Sequence, residues 1–263
     1  MPEFPCPRPV QVTVKMGSGT LMVTAEERDT ADVEVKPTDN SDASRQVAAD
    51  TQIDMSDDRL LIEVPQGHSG WILRRSARIR VELRLPLDSV LYAKLGSTDV
   101  HGEGRLGAAT ITSGSGDVYL AEVNGDVSIK NGSGDIRIDR IGGELRTESG
   151  SGDVTVGHAT GPVQTRAASG DVYIGELAGA GEASTASGDI TVGSIHSGRV
   201  ALNAASGDIK VGVHTGTKVW LDLQAQSGDT VTDLAVRPDA PEGGVQASLQ
   251  VRTMSGDIHV HSA

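Results

Sequence analysis

The sequence predicts an all-β fold, a parallel β-solenoid of 18-residue coils, on three observations: a strict internal repeat, a composition suited to a thin core, and no helical pattern. The repeat is marked by Ser-Gly-Asp triplets. Their aspartates are Asp117, Asp135, Asp153, Asp171 and Asp189, each 18 residues after the last, followed by Asp208, Asp229 and Asp257 at spacings of 19, 21 and 28. Such a period marks stacked units that bury their faces against one another. The chain has 263 residues with 33 glycines, one Phe, two Trp and three Tyr. A core made of Val, Ile, Leu and Ala between closely stacked strands fits those numbers.

Within each coil the aspartate is followed by an alternating apolar pair: Val118 and Leu120, Ile136 and Ile138, Val154 and Val156, Val172 and Ile174, Ile190 and Val192, Ile209 and Val211. Alternation over a short run between turns is the signature of a strand with one buried face. The residues between them, Tyr119, Arg137, Thr155, Tyr173, Thr191 and Lys210, are expected outside. A second apolar pair follows about nine residues later, as in Val127 with Ile129 and Val200 with Leu202, so each coil carries two main strands. Handedness is expected to be right, from the general preference of parallel crossovers. Glycine recurs too often for a 3.6-residue pattern, and no capped amphipathic run is evident, so no helix is expected.

The solenoid is expected to start at the degenerate triplet Ser97-Thr98-Asp99 and to span residues 96–263, with an insertion at 230–254 whose RPDAPEGG segment, 237–244, reads as a loop. Residues 1–95 show no 18-residue echo and read as an antiparallel β entry or capping subdomain. The clearest strand there is RIRVELRL, with Ile79, Val81, Leu83 and Leu85 on one face and Arg78, Arg80, Glu82 and Arg84 on the other. Its role would be to cover the first solenoid edge, since bare edges invite pairing with other chains. The last coil, Asp257 to Val260, is expected to leave its outer edge open to self-association.

Net charge is −13. That argues against a nucleic-acid partner, whose affinity comes largely from Lys and Arg neutralising phosphates. The single cysteine, Cys6, excludes an internal disulfide framework and reads as an unreactive thiol. No apolar stretch approaches the roughly 20 residues of a membrane span, and no signal-peptide pattern opens the sequence. The expected location is cytoplasmic, with the cell surface as the alternative.

GSGDVYL, GSGDIRI and GSGDVTV at the coil starts resemble the bacterial putative-adhesin family, a domain of unknown function built from Ser-Gly-Asp β-solenoid repeats. The resemblance covers most of the chain, including LRLPLDSVLYAKLGSTD. It implies a rigid surface for a protein or glycan partner and no catalysis. A weaker likeness is to bactofilins, cytoskeletal β-helices that polymerise end to end, which implies a self-assembling scaffold as the alternative. A calcium-binding repeat protein and a polysaccharide-active enzyme are the further alternatives.

The turn ladder Gly116, Asp117, Gly134, Asp135, Gly152, Asp153, Gly170, Asp171, Gly188, Asp189, Gly207 and Asp208 reads as structural. Each aspartate is expected to accept hydrogen bonds from the N–H groups of its own turn, beside a glycine in a geometry other residues resist. A calcium row needs acids from both half-coils, and the second half has only Asp126 and Glu144. Of the seven histidines, His196 and His214 are 18 apart and expected on adjacent rungs, while His259 and His261 share a strand face. Two imidazoles make at most half a zinc site. No catalytic residue, cofactor site or metal site is assigned. HSGWILRR, with Trp71, Arg74 and Arg75, is the candidate partner contact, because an exposed aromatic beside arginines suits a binding hot spot.

Overall fold

The computed structural model describes residues 2–65, 77–235 and 245–263. The chain is an all-β parallel solenoid with a set of antiparallel strands near its N-terminus. It divides into two compact units, Met1–Gly134 and Asp135–Ala263.

The first unit contains β1 (Glu3–Pro5), β2 (Gln11–Glu26), β3 (Thr30–Pro37), α1 (Asp42–Ala49), β4 (Gln52–Ser56), β5 (Arg59–Glu63), β6 (Ile79–Pro86), β7 (Val90–Leu106), β8 (Ala108–Ser115), β9 (Val118–Val123) and β10 (Val127–Ser133). Its centre is β2. Val12, Val14, Met16, Leu21, Val23 and Ala25 are all buried, in two alternating runs on either side of Gly17-Ser18-Gly19. That is the repeat's own pattern. Parallel pairing with β7 sets Gly19 against Thr98 and Thr20 against Asp99, so residues 17–20 stand in the Ser-Gly-Asp register with threonine in the aspartate's place.

The ladder therefore begins at residue 11 and not at Ser97, and β7 runs unbroken through the boundary expected at 95. The echo is hidden because the two registers are separated by a long excursion. In that excursion β5 and β6 pair in parallel with the far edge of β2. β4 then lies antiparallel to β5, β3 antiparallel to β6, and β1 antiparallel to β3. The strands directly on this edge are thus parallel, and the antiparallel ones lie beyond them. RIRVELRL is β6 with its apolar residues buried; Arg80 and Arg84 are exposed and Glu82 partly so.

The helix α1 corrects the expectation of none. Ser41 caps it, its hydroxyl accepting the Ser44 N–H at 3.1 Å, and Asp42 sits in the first turn, where a carboxylate complements the helix dipole. Ser44 is buried and accepts the Arg78 N–H at 3.0 Å, which ties the helix to the start of β6. Between β6 and β7, Asp88 adopts φ +61° and receives two bonds from the Arg105 guanidinium, each 3.0 Å. That guanidinium holds its carboxyl below the usual carboxylate range. Burial pushes the Cys6 thiol up, which suits the expected inert cysteine.

The second unit holds β11 (Ile136–Ile141), β12 (Leu145–Ser151), β13 (Val154–Ala159), β14 (Val163–Ser169), β15 (Val172–Leu177), β16 (Gly181–Ser187), β17 (Ile190–Ile195), β18 (Gly198–Ser206), β19 (Ile209–Val213), β20 (Val219–Ala225), β21 (Thr230–Thr232), β22 (Ala247–Ser255) and β23 (Ile258–Ser262). They form two parallel ladders. One runs β12, β14, β16, β18 in one-coil steps and the other β11, β13, β15, β17, β19. The alternating pairs fill the space between them: Val154, Val156, Ile190, Val192, Ile209 and Val211 are each fully buried. Each such side chain contributes about 1.5–3 kcal/mol.

The coil order then departs from the sequence. β22 pairs with β18 on one side and β20 on the other, and β23 lies between β19 and β21. The last coil in sequence is inserted under the one that precedes it. The edge of residues 257–260, expected to be open, is covered by β21, with Thr230 against Ile258 and Thr232 against Val260. Among the described residues the outermost coil is β20–β21. The segment 237–244 lies outside the described residues.

Candidate interaction surface

The aspartate ladder differs from expectation in the direction of its bonds. In the first unit the Asp99 carboxylate accepts the Asp117 N–H at 3.1 Å. In the second unit Asp135 accepts from Asp153 at 2.9 Å, Asp153 from Asp171, Asp171 from Asp189 and Asp189 from Asp208 at 2.8 Å, Asp208 from Asp257 at 2.9 Å, and Asp257 from Asp229 at 2.8 Å. Each carboxylate reaches the next coil and not its own turn. From Asp117 onward the glycine before each ladder aspartate has positive φ, +122° at Gly152 and +131° at Gly170, and this turns the following N–H along the stack.

Carboxylates about 4.8 Å apart repel by about 1 kcal/mol per pair. A hydrogen bond to a charged acceptor returns about 1.5–3 kcal/mol, so the ladder is net stabilising without a cation. The glycine carbonyls are met as well: Asn131 donates to Gly116 and Gly134, Thr185 to Gly170 and Thr253 to Gly207. Adding a calcium chelator is therefore expected to leave the melting temperature unchanged. A drop of several degrees, reversed by calcium, would assign the ladder to metal.

The histidines are paired but scattered. His196 and His214 stand on adjacent coils with ring centres 4.4 Å apart, as their spacing predicts, and His259 and His261 are 5.4 Å apart. His158 bonds Glu176 at 2.9 Å and His259 bonds Asp233 at 3.3 Å. Among the described residues no three His, Cys, Asp or Glu side chains converge as a metal would need. Trp71, Arg74 and Arg75 lie outside the described residues.

The surface that the sequence reading missed is on the ladder of β14, β16, β18, β22 and β20. Its outward residues line up as Arg166, Ser184, Asn203, Arg252 and Gln224 in one row. Ala168, Ala186 and Ala205 make a low row beside it, ending at the exposed Met254. Together they form a shallow open groove of about 920 Å³. The first three members could have been read from their 18- and 19-residue spacing. Arg252 could not, because its place depends on the inserted coil.

The stack and its open groove define a repeat β-solenoid with a long exposed face. This chain belongs to the Toastrack DUF4097 family, whose model matches residues 11–261. The fold is similar to the crystal structure of a putative adhesin from Bacteroides fragilis, at 14% identity and a TM-score of 0.51, covering 99% of this chain and 95% of that one. A putative adhesin from Parabacteroides distasonis is also similar, with 12% identity, a TM-score of 0.39, and coverage of 98% and 95%. A putative cell adhesion protein from Clostridium sporogenes follows at 13% identity, a TM-score of 0.26, and coverage of 97% and 93%. No curated protein matches the chain. No helix among the described residues is long and apolar enough to cross a membrane.

Proposed function

We propose that the protein is a non-enzymatic interaction module that presents the groove of its C-terminal coils to an extended partner, a glycan strand or a polypeptide segment. The observation that carries this reading is the groove itself. Donors and acceptors repeat at one-coil steps, about 4.8 Å, beside a row of alanines low enough for a chain to lie along it. Arg166 and Arg252 line the groove, each beside a carboxylate, Glu182 at 3.4 Å and Asp222 at 3.8 Å, so that the row presents paired charges of both signs. Planar guanidinium donors beside carboxylate acceptors favour polar ligands that offer hydroxyl, carbonyl and amide groups in a regular row. The repeated acids argue for a scaffold and not for catalysis, because one oxygen of each accepts a backbone N–H of the neighbouring coil and the row does not flank a cleft as a glycosidase pair does.

The test is binding to arrays of acidic and neutral oligosaccharides and of peptides, with Ala186→Arg as the groove-filling variant. Ala186 is exposed, so the variant is expected to melt with the wild type while losing at least tenfold in affinity. Binding untouched by Ala186→Arg, or no binding on any array, overturns the reading.

A further inference from the structure

Among the described residues the solenoid has its open end at β20 and β21. In the coil beneath, Ala247, Leu249 and Val251 are at most 2% exposed, whereas their counterparts Val219, Leu221 and Leu223 are only half-buried. Trp220 and Val231 are exposed beside them, at 53% and 51%. Among the described residues β20 pairs only with β22, and β21 only with β23. The aspartate ladder also stops here: Asp229 donates its N–H to Asp257, and among the described residues no N–H meets the Asp229 carboxylate. Ladder, core cross-section and turn corner all end at the same coil.

We infer that this terminal coil joins two copies of the chain tail to tail, β20 of one against β20 of the other. A second copy fits where a single strand from another protein does not. The end exposes two strand edges, one on each sheet, with an apolar strip between them, and another solenoid end matches all three. A two-fold axis pairs both edges antiparallel. With the axis at Leu221, Val219 faces Leu223, Trp220 faces Asp222 and Lys218 faces Gln224, so apolar meets apolar and no like charges are opposed. A two-fold contact at this end uses the same surface on both copies and closes at two. Such a contact differs from the head-to-tail growth of a polymerising scaffold, and it is independent of the groove reading.

Sedimentation equilibrium of the full chain across micromolar concentrations is the test, paired with hydrogen exchange of residues 219–223. The expected result is a doubling of mass, with those amides more protected in the dimer. Val231→Lys, on an exposed side chain, is expected to weaken the dimer at least tenfold with an unchanged melting temperature. Leu221→Lys is expected to abolish it, and Thr191→Lys on the sheet face to leave it intact. A monomer at high micromolar concentration, species larger than two, or dimers indifferent to both Val231→Lys and Leu221→Lys would each overturn the inference.

Discussion

Gly170→Val is expected to destabilise the protein by about 3 kcal/mol, while Tyr173→Thr, three residues on in the same coil, changes stability by less than about 0.5 kcal/mol. Gly170 has φ +131°, and a Cβ there would lie 2.2 Å from the carbonyl oxygen of Gly152 in the coil beneath. The backbone strain alone is about 1–3 kcal/mol for an L side chain. The clash adds to it, because the neighbour is a main-chain atom fixed by the ladder and cannot swing aside. Tyr173, by contrast, is 46% exposed and pairs with Thr155 and Thr191, so threonine is already accepted on both sides. Chemical denaturation of the two variants decides the matter. In a stacked repeat the loss should be local, seen first as faster amide exchange in the coils next to Gly170. Equal midpoints would mean that the glycine is not the constraint described here, and Gly152, at φ +122°, is expected to behave as Gly170 does.

The same chemistry explains what the sequence displays and what it conceals. The coil is legible because its turn and its buried pairs use nearly the same residues each time, from GSGDVYL to SGDIKVG. Alternation decides which side chains enter the core. It does not decide which coil lies next to which, since any coil with the same in-and-out pattern can stack on any other. That degeneracy hid the insertion of β22 and β23, although the spacings of 21 and 28 before Asp229 and Asp257 are where the period fails. It also hid the coil at residues 11–26, where the GSGT turn lacks its aspartate and its partner β7 follows a long excursion. The helix was missed for another reason: Ser41-Asp42 is a proper helix start, but eight residues carry too little periodicity to stand out. The direction of the aspartate bonds is a property of stacking, and a local turn motif cannot reveal it. The groove follows the same rule, being a surface of several coils and not of one.

Leu249→Asp tests the inserted coil directly. Leu249 is 1% exposed and sits in register with Val200 on one side and Leu221 on the other. A carboxylate there has no partner in an apolar layer, and the expected loss is about 4 kcal/mol, at the upper end for a single substitution. Where that loss appears depends on coil order. If coils stacked in the order of the sequence, residues 219–232 would rest on β18 and β19, and a damaged β22 would fray alone at the end. In the observed order, β20 and β21 have only β22 and β23 beneath them among the described residues. Hydrogen exchange by mass spectrometry is therefore expected to show residues 219–232 and 247–262 losing protection together, while β12 to β17 keep theirs. Continued protection of 219–232 beside an unprotected 247–262 would rule out the insertion, since β20 would then need another partner.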